Sequence, residues 1–257
     1  MDTNSESVIS MRDVSKRFGQ INAVDKVTLD VPQGAIFGFI GPSGCGKTTT
    51  VRLLIGNYQP TDGSMKVLGK SPDAFSRADQ KRIGYMPQLF ILYPELTIWE
   101  NLNFAASIYG YTMDRRERFE QLLDLVELTG HEKKLARNIS GGMQRRLSLA
   151  STLIHSPELI FLDEPTAGID PVLRRKFWDH FQLLKDRGHT LFVTTQYVGE
   201  AAYCDYVGVM RDGQLLMVET PDMLRFRALN GHVVDIRTAE PLSLEALEYL
   251  EDYPLVT

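Results

Sequence analysis

The residues that most constrain this chain are Gly41-Pro42-Ser43-Gly44-Cys45-Gly46-Lys47-Thr48, which fit the pattern G-x-x-x-x-G-K-[ST]. The apolar run AIFGFIG leads into them, and the helical stretch TTTVRLLIG leads out, closed by Gly56. A strand entering such a loop and a helix leaving it is the context the pattern requires. Its glycines let successive backbone N–H groups turn toward one anion, and the helix N-terminus adds partial positive charge. Lys47 then reaches the β- and γ-phosphates, the Thr48 hydroxyl ligates Mg²⁺, and Thr49 follows in the same turn. The loop predicts a nucleotide triphosphate site. Alone, it leaves kinases, GTPases and ATPases open.

A second segment narrows the choice. Leu159-Ile160-Phe161-Leu162-Asp163-Glu164 is four apolar residues ending in two carboxylates. A buried strand would deliver both acids at its C-terminal end, where ligand sites of α/β sheets form. Asp163 is expected to hold Mg²⁺ or its water, and Glu164 to act as general base on the attacking water.

Bulk properties bound the rest. In 257 residues the chain carries 28 basic and 33 acidic side chains, a net charge of -5, which argues against a nucleic-acid binder. Hydrophobic residues make up 43% and charged ones 24%, as in a globular domain. No window approaches the roughly 18 consecutive apolar residues of a membrane span, and the polar start MDTNSESVIS does not read as a secretory signal. Cys45 and Cys204 are far apart, so a disulfide framework is not expected and a reducing, cytoplasmic setting is. Because Cys45 sits in the loop, its alkylation is expected to block the site.

Along the chain, residues 8–40 read as strands, with a turn at Pro32-Gln33-Gly34. A further turn around Pro60, Asp62 and Gly63 precedes the strand MKVLG. About 95–155 has apolar residues at helical spacing (Phe119, Leu122, Leu123, Val126) and reads as a helical insert. Strand character returns at ELIFLDEP, HTLFVTTQ and YVGVMRDGQLLMVE, where Asp212-Gly213 signals a hairpin. This alternation predicts an α/β domain with a mainly parallel sheet. HVVDIRT reads as a strand and SLEALEYLED as a helix stopped by Pro254; such a pair cannot bury a core alone. It either docks on the main domain or begins a small α+β domain.

Asn138-Ile139-Ser140-Gly141-Gly142-Met143-Gln144-Arg145-Arg146 resembles the signature of ABC transporter ATPases, usually LSGGQ. Gln88 in GYMPQ resembles that family's Q-loop, and Ala167-Gly168-Ile169-Asp170 its D-loop. With the phosphate loop and the Asp163-Glu164 strand, five motifs stand in family order, and the resemblance covers about residues 8–222. It implies a P-loop NTPase (RecA-like) α/β core with a mainly parallel sheet, an N-terminal antiparallel β subdomain and a helical insert, about 89–155, bearing the signature. Residues 223–257 would be a C-terminal extension.

The resemblance also implies roles. Ser140, Gly141, Gly142 and Met143 would present a helix tip to the ATP held by another subunit, so that two copies, head to tail, close over two ATP molecules. Phe18 in VSKRFG would stack on adenine; a core phenylalanine is the alternative. Gln88 would ligate Mg²⁺ and sense a membrane partner, and Asp170 would contribute to the nucleotide site. The apolar stretch LFILYPELTIWENL is the expected docking surface for a transmembrane permease subunit, or else packs the insert. The chain would then sit peripherally on the cytoplasmic face of the membrane.

Two positions depart from the pattern. Gln196 in LFVTTQYVGEA replaces the usual histidine; an amide can donate a hydrogen bond but cannot carry charge. Met143 replaces the usual glutamine. Together SGGM and TTQY look like the ATPases of daunorubicin/doxorubicin-type drug exporters, which implies export. An importer ATPase and a non-transport ABC ATPase are the alternatives. DNA-acting members have a long coiled coil between loop and signature, and ribosome-acting members usually carry two such units; this chain has neither. Catalysis is expected of Glu164, Lys47 and Gln196, with Gln196 positioning and Glu164 as base.

Overall fold

A computed structural model describes residues 7–89, 91–111 and 115–229. The strand and helix expected in HVVDIRT and SLEALEYLED lie outside the described residues. Residues up to Pro221 form one compact unit and those from Asp222 a second.

The first unit opens with β1 (Ser7–Phe18) and β2 (Ile21–Pro32). With β4 (Asp62–Val67) they form an antiparallel sheet in the order β2-β1-β4. The other six strands among the described residues form one sheet in the order β5-β6-β7-β3-β8-β9. They are β3 (Ile36–Ile40), β5 (Ile83–Met86), β6 (Leu159–Asp163), β7 (Thr190–Thr195), β8 (Tyr206–Arg211) and β9 (Gln214–Glu219). All neighbours in it are parallel except the last pair. Strands β3, β6 and β7 are buried along their whole length, as interior strands of a parallel sheet covered on both faces are. The β8–β9 hairpin turns on Asp212 and Gly213, both with positive φ, as a two-residue type I′ turn demands.

Helix α1 (Lys47–Leu54) follows β3 and packs Val51, Leu53 and Leu54 into the core between the two sheets. Between β4 and β5 a short helix, α2 (Arg77–Gln80), is capped by Ser76 and Asp79. Strand β5, only four residues with a central glycine, is, like α2, an element that the sequence reading does not name.

The helices between β5 and β6 are α3 (Ile98–Ile108), α4 (Arg115–Leu125) and α5 (Gly141–Thr152). Thr97 and Glu100 satisfy each other's backbone N–H groups at the start of α3, a capping box. In α4, Phe119, Leu122 and Leu123 are buried, the face that helical spacing predicts. Helix α6 (Pro171–Asp186) is set by Asp170 as N-cap and Pro171 at its first position. It buries Phe177, Trp178, Phe181 and Leu184. The described helix α7 (Pro221–Leu229) belongs to the second unit from Asp222 onward. No helix among the described residues is long and apolar enough to cross a membrane.

Candidate functional site: a phosphate loop facing two carboxylates

Four adjacent parallel strands end on the same side, and each is followed there by predicted site residues. Strand β3 leads into Gly41–Thr48, β6 into Glu164, β7 into Gln196, and β5 into Gln88. This is the carboxyl edge at which open α/β sheets bind ligands.

The loop is held from below. Gly41 N–H donates to the Thr195 carbonyl oxygen at 3.2 Å, and Gly213 N–H donates to the Cys45 carbonyl oxygen at 3.0 Å. Two of its glycines are dictated by space. A Cβ on Gly41 would lie 2.2 Å from the Met210 carbonyl oxygen. One on Gly46, where φ is +112°, would lie 2.2 Å from the Ala23 carbonyl oxygen. The Cys45 thiol is buried beneath the loop, and burial raises its pKa. Alkylation at Cys45 is therefore not an easy route to blocking the site, contrary to the sequence expectation.

Above the loop the charged groups converge. Lys47 Nζ donates to the carbonyl oxygens of Gly41 (2.8 Å) and Pro42 (3.0 Å), and lies 3.3 Å from Glu164 Oε1. Gln88 Nε2 donates to Glu164 Oε2 at 3.0 Å. Glu164 sits just past β6 with φ 49°, a strained conformation for a residue with a side chain. It is over-determined by its neighbours. Its N–H reaches the carbonyl oxygen (3.1 Å) and hydroxyl (3.0 Å) of Thr194, and its carbonyl accepts from Arg145 Nη1 at 2.9 Å.

Asp163 lies one residue deeper. Its Oδ1 accepts from Thr48 Oγ1 at 3.1 Å and from Thr194 Oγ1 at 2.6 Å. Its Oδ2 is buried without a hydrogen-bond partner, and burial raises its pKa. A buried carboxylate oxygen left unpaired is costly unless a cation completes it. The orphaned oxygen beside a hydroxyl fits Mg²⁺, which takes oxygen ligands, typically one or two carboxylates plus phosphate.

Ala23, Ser43, Gly44, Gly46, Lys47, Thr48, Thr49, Gln88 and Glu164 line a cavity of about 210 Å³. Phe18 lies outside it, at the end of β1, 44% exposed and edge-on to Tyr58 with centroids 5.4 Å apart. That exposure removes the alternative of a core phenylalanine. Phe18 pairs with Ile21 across the hairpin, and Ala23 two residues on touches the loop, so the ring stands on the hairpin end nearest the cavity.

The signature is elsewhere. Ser140 is the N-cap of α5, accepting from Met143 N–H at 3.3 Å, and both Ser140 and Gly141 are exposed. Asp170 uses a carboxylate oxygen to accept the Leu173 N–H at 3.0 Å. Neither segment lines the cavity of its own chain. Thr194, Arg145 and Ala23 are site residues that sequence reasoning missed. Thr194 and Ala23 lie in runs that read only as strand, and Arg145 stands in the signature-like run with no role assigned to it.

The family model for ABC transporters matches residues 24–167. The probable multidrug ABC transporter ATP-binding protein YbhF of Escherichia coli is 37% identical over 234 residues. These make up 91% of this chain but 40% of that one, so the chain spans about two fifths of that relative's length. Nod factor export ATP-binding protein I of Sinorhizobium fredii is 35% identical over 247 residues, covering 95% of this chain and 72% of that one. A dimeric ATP-binding cassette in a post-hydrolysis state, bound to ADP and Pi, superposes with a TM-score of 0.75 at 25% identity, covering 82% of this chain and 98% of that one. The chain belongs to the ABC transporter family, as an ATP-binding domain of the P-loop α/β fold.

Proposed function

We propose that this chain binds Mg-ATP in the cavity above Lys47, hydrolyses it between two copies arranged head to tail, and drives export through a separate membrane subunit. The observation that carries the reading is the meeting of Lys47, Thr48, Asp163 and Glu164 within hydrogen-bonding or ion-pairing distance at one edge of the sheet.

The loop N–H groups and Lys47 bind the triphosphate. Thr48 and Asp163 would hold Mg²⁺, with Gln88 as a further candidate ligand. Mg²⁺ neutralises charge on the β- and γ-phosphate oxygens when bound. Glu164 accepts a proton from the water that attacks the γ-phosphorus, while the oxygen bridging to ADP leaves with the bond electrons. Gln196 orients that water as a neutral donor or acceptor. Phe18 offers its exposed ring to the adenine.

Exposure of Ser140 and Gly141 at the N-terminus of α5 supports their use by a second copy, because a helix tip with free N–H groups attracts phosphate. Asp170 lies on the D-loop, a segment that would meet that copy. Leu89 and Ile91 are 83% and 78% exposed. Beside them Ile91, Tyr93, Phe104 and Ile108 line a second cavity of about 210 Å³. Such a patch suits an apolar helix of the membrane subunit, which would hold the chain at the cytoplasmic face. The multidrug and Nod factor names of the relatives favour export.

ATP turnover and sedimentation of the parent, Lys47→Ala and Glu164→Gln chains test the reading. The expected result is turnover in the parent only and ATP-dependent dimers of the Glu164→Gln chain. Parental turnover surviving in the Glu164→Gln chain refutes the assignment of the base.

A further inference from the structure

Two short segments border the catalytic edge: residues 164–170 after β6, and residues 196–200 after β7. One side chain touches both. Arg174 of α6 donates from Nη2 to the Ile169 carbonyl oxygen at 3.4 Å. Its guanidinium carbon lies 4.1 Å from the centroid of the Tyr197 ring. Its Nε faces Glu200 Oε1 at 3.4 Å.

Glu200 is only 2% exposed, and the same Oε1 accepts from Thr166 Oγ1 at 2.7 Å. Thr166 and Ile169 belong to the first segment, Tyr197 and Glu200 to the second. Gln196 therefore lies between two anchored neighbours. Thr195 holds the loop through its carbonyl oxygen on Gly41 N–H, and its hydroxyl accepts from Tyr197 N–H at 3.0 Å. Tyr197 in turn lies against the Arg174 guanidinium.

The ion pair is incompletely satisfied. Arg174 Nε and Glu200 Oε2 are both buried, and neither has a hydrogen-bond partner. Maximum stability would favour a bidentate fork between these two groups. A small displacement of the 164–170 segment relative to Glu200 would change how well they pair.

We propose that Arg174 is a positioning residue that ties the segment carrying Gln196 to the segment carrying Asp170. Contact of a second copy with Ala167–Asp170 is thereby transmitted to Gln196, just past β7 at the carboxyl edge of the sheet. This rests on the reading that two copies close over ATP. Arginine suits the task because one planar group can stack, fork and donate to a carbonyl at once; lysine keeps only the charge.

The test uses the intact chain assembled with its membrane subunit. Arg174→Lys is expected to lower kcat by about tenfold with the KM for ATP within about twofold, the signature of lost alignment rather than lost binding. In a Gln196→Ala background the same change should cost nothing further, since Arg174 acts through Gln196. Unchanged kcat, a proportional rise in KM, or losses that multiply in the double variant would overturn the proposal. Should Arg174→Lys fail to fold, Tyr197→Leu removes the stacking partner without touching the charge and carries the same comparison. A parent that neither binds nor turns over ATP refutes the underlying reading. An active parent with an indifferent Arg174 refutes only this inference.

Discussion

The Lys47 ammonium and the Glu164 carboxylate form a buried ion pair at 3.3 Å, joining the residue proposed to bind phosphate to the residue proposed as base. Each limits the other. Lys47 is also held by the carbonyl oxygens of Gly41 and Pro42, so it stays aimed at the mouth of the loop. Glu164 is held on its other oxygen by Gln88. A triphosphate that draws Lys47 toward itself weakens the hold on Glu164 and frees one oxygen for water. With the proposed roles, substrate binding and exposure of the base would be coupled through this one contact.

Removing either partner should therefore have opposite effects on affinity. Glu164→Gln leaves Lys47 without a competing anion, so ATP affinity should stay equal or rise while turnover falls by about 100-fold or more, as loss of a general base does. Lys47→Ala should weaken ATP binding and leave a nearly buried carboxylate with one partner fewer, lowering stability by roughly 1–3 kcal/mol. Nucleotide titration and thermal melts of both variants check this.

Asp163 yields a pH prediction. Burial raises its pKa above the ordinary carboxylate value, against the opposing pull of Thr194 and Thr48. With the folded pKa above the unfolded one, the contribution to stability is fully present below roughly pH 4 and is lost as pH rises through the folded pKa. Asp163→Asn cannot ionise and escapes that loss, and its amide oxygen can still accept from both threonines. The variant should match the parent near pH 4 and melt higher near pH 7 without Mg²⁺, whereas ATP turnover with Mg²⁺ should be lost if Asp163 holds the metal as proposed. Melting curves across that range decide it; a variant less stable than its parent at pH 7 contradicts it.

How far these residues could be read from sequence depends on how local their signals are. Lys47, Thr48, Asp163 and Glu164 sit in contiguous runs whose spacing encodes their geometry, and the structure assembles them. Asp212-Gly213 was legible for the same reason, since a two-residue turn needs only those two φ values. Thr194 was not, because its hydroxyl acts on Asp163 across the sheet and nothing in TLFVTT separates it from a packing residue. Arg145 was hidden likewise: its role depends on α5 lying against the Glu164 carbonyl oxygen. Strand β5 was missed because four residues with a glycine are too few to show alternation. Cys45 misled because position in a loop does not reveal which way a side chain points.

The signature serine separates binding from turnover. Ser140 caps α5 through the Met143 N–H, so Ser140→Ala should cost about 1 kcal/mol of stability. Ser140 lies outside its own chain's cavity, so a single copy of Ser140→Ala should bind ATP as the parent does. Under the proposed two-copy arrangement turnover draws on the helix tip of the second copy, so it should fall by about tenfold or more. Equal losses in single-copy affinity and turnover would place Ser140 in its own site instead.

Gly46 is the position where the loop tolerates least. Its φ of +112° excludes side chains on backbone grounds, and a Cβ would lie 2.2 Å from the Ala23 carbonyl oxygen, which is backbone and cannot rotate away. Gly46→Ala should therefore push the loop off β2 and cost about 2–4 kcal/mol, with ATP binding lost as well. Gly44→Ala meets a positive φ but open space. It should cost about 1–2 kcal/mol and retain measurable binding.

The exposed apolar strip predicts a loss of coupling without a loss of chemistry. Ile91 borders the cavity that Tyr93 and Phe104 close, their rings packed edge-on with centroids 4.4 Å apart. Since Ile91 is mostly exposed, Ile91→Glu removes little core packing and should change the melting temperature by less than about 2 °C. It places a charge where an apolar helix would dock, and desolvating that charge opposes association. The variant should bind ATP normally, yet co-purify poorly with the membrane subunit and lose substrate-stimulated turnover. Normal co-purification with full stimulation would mean that the membrane subunit docks elsewhere, and that the strip owes its exposure to some other contact.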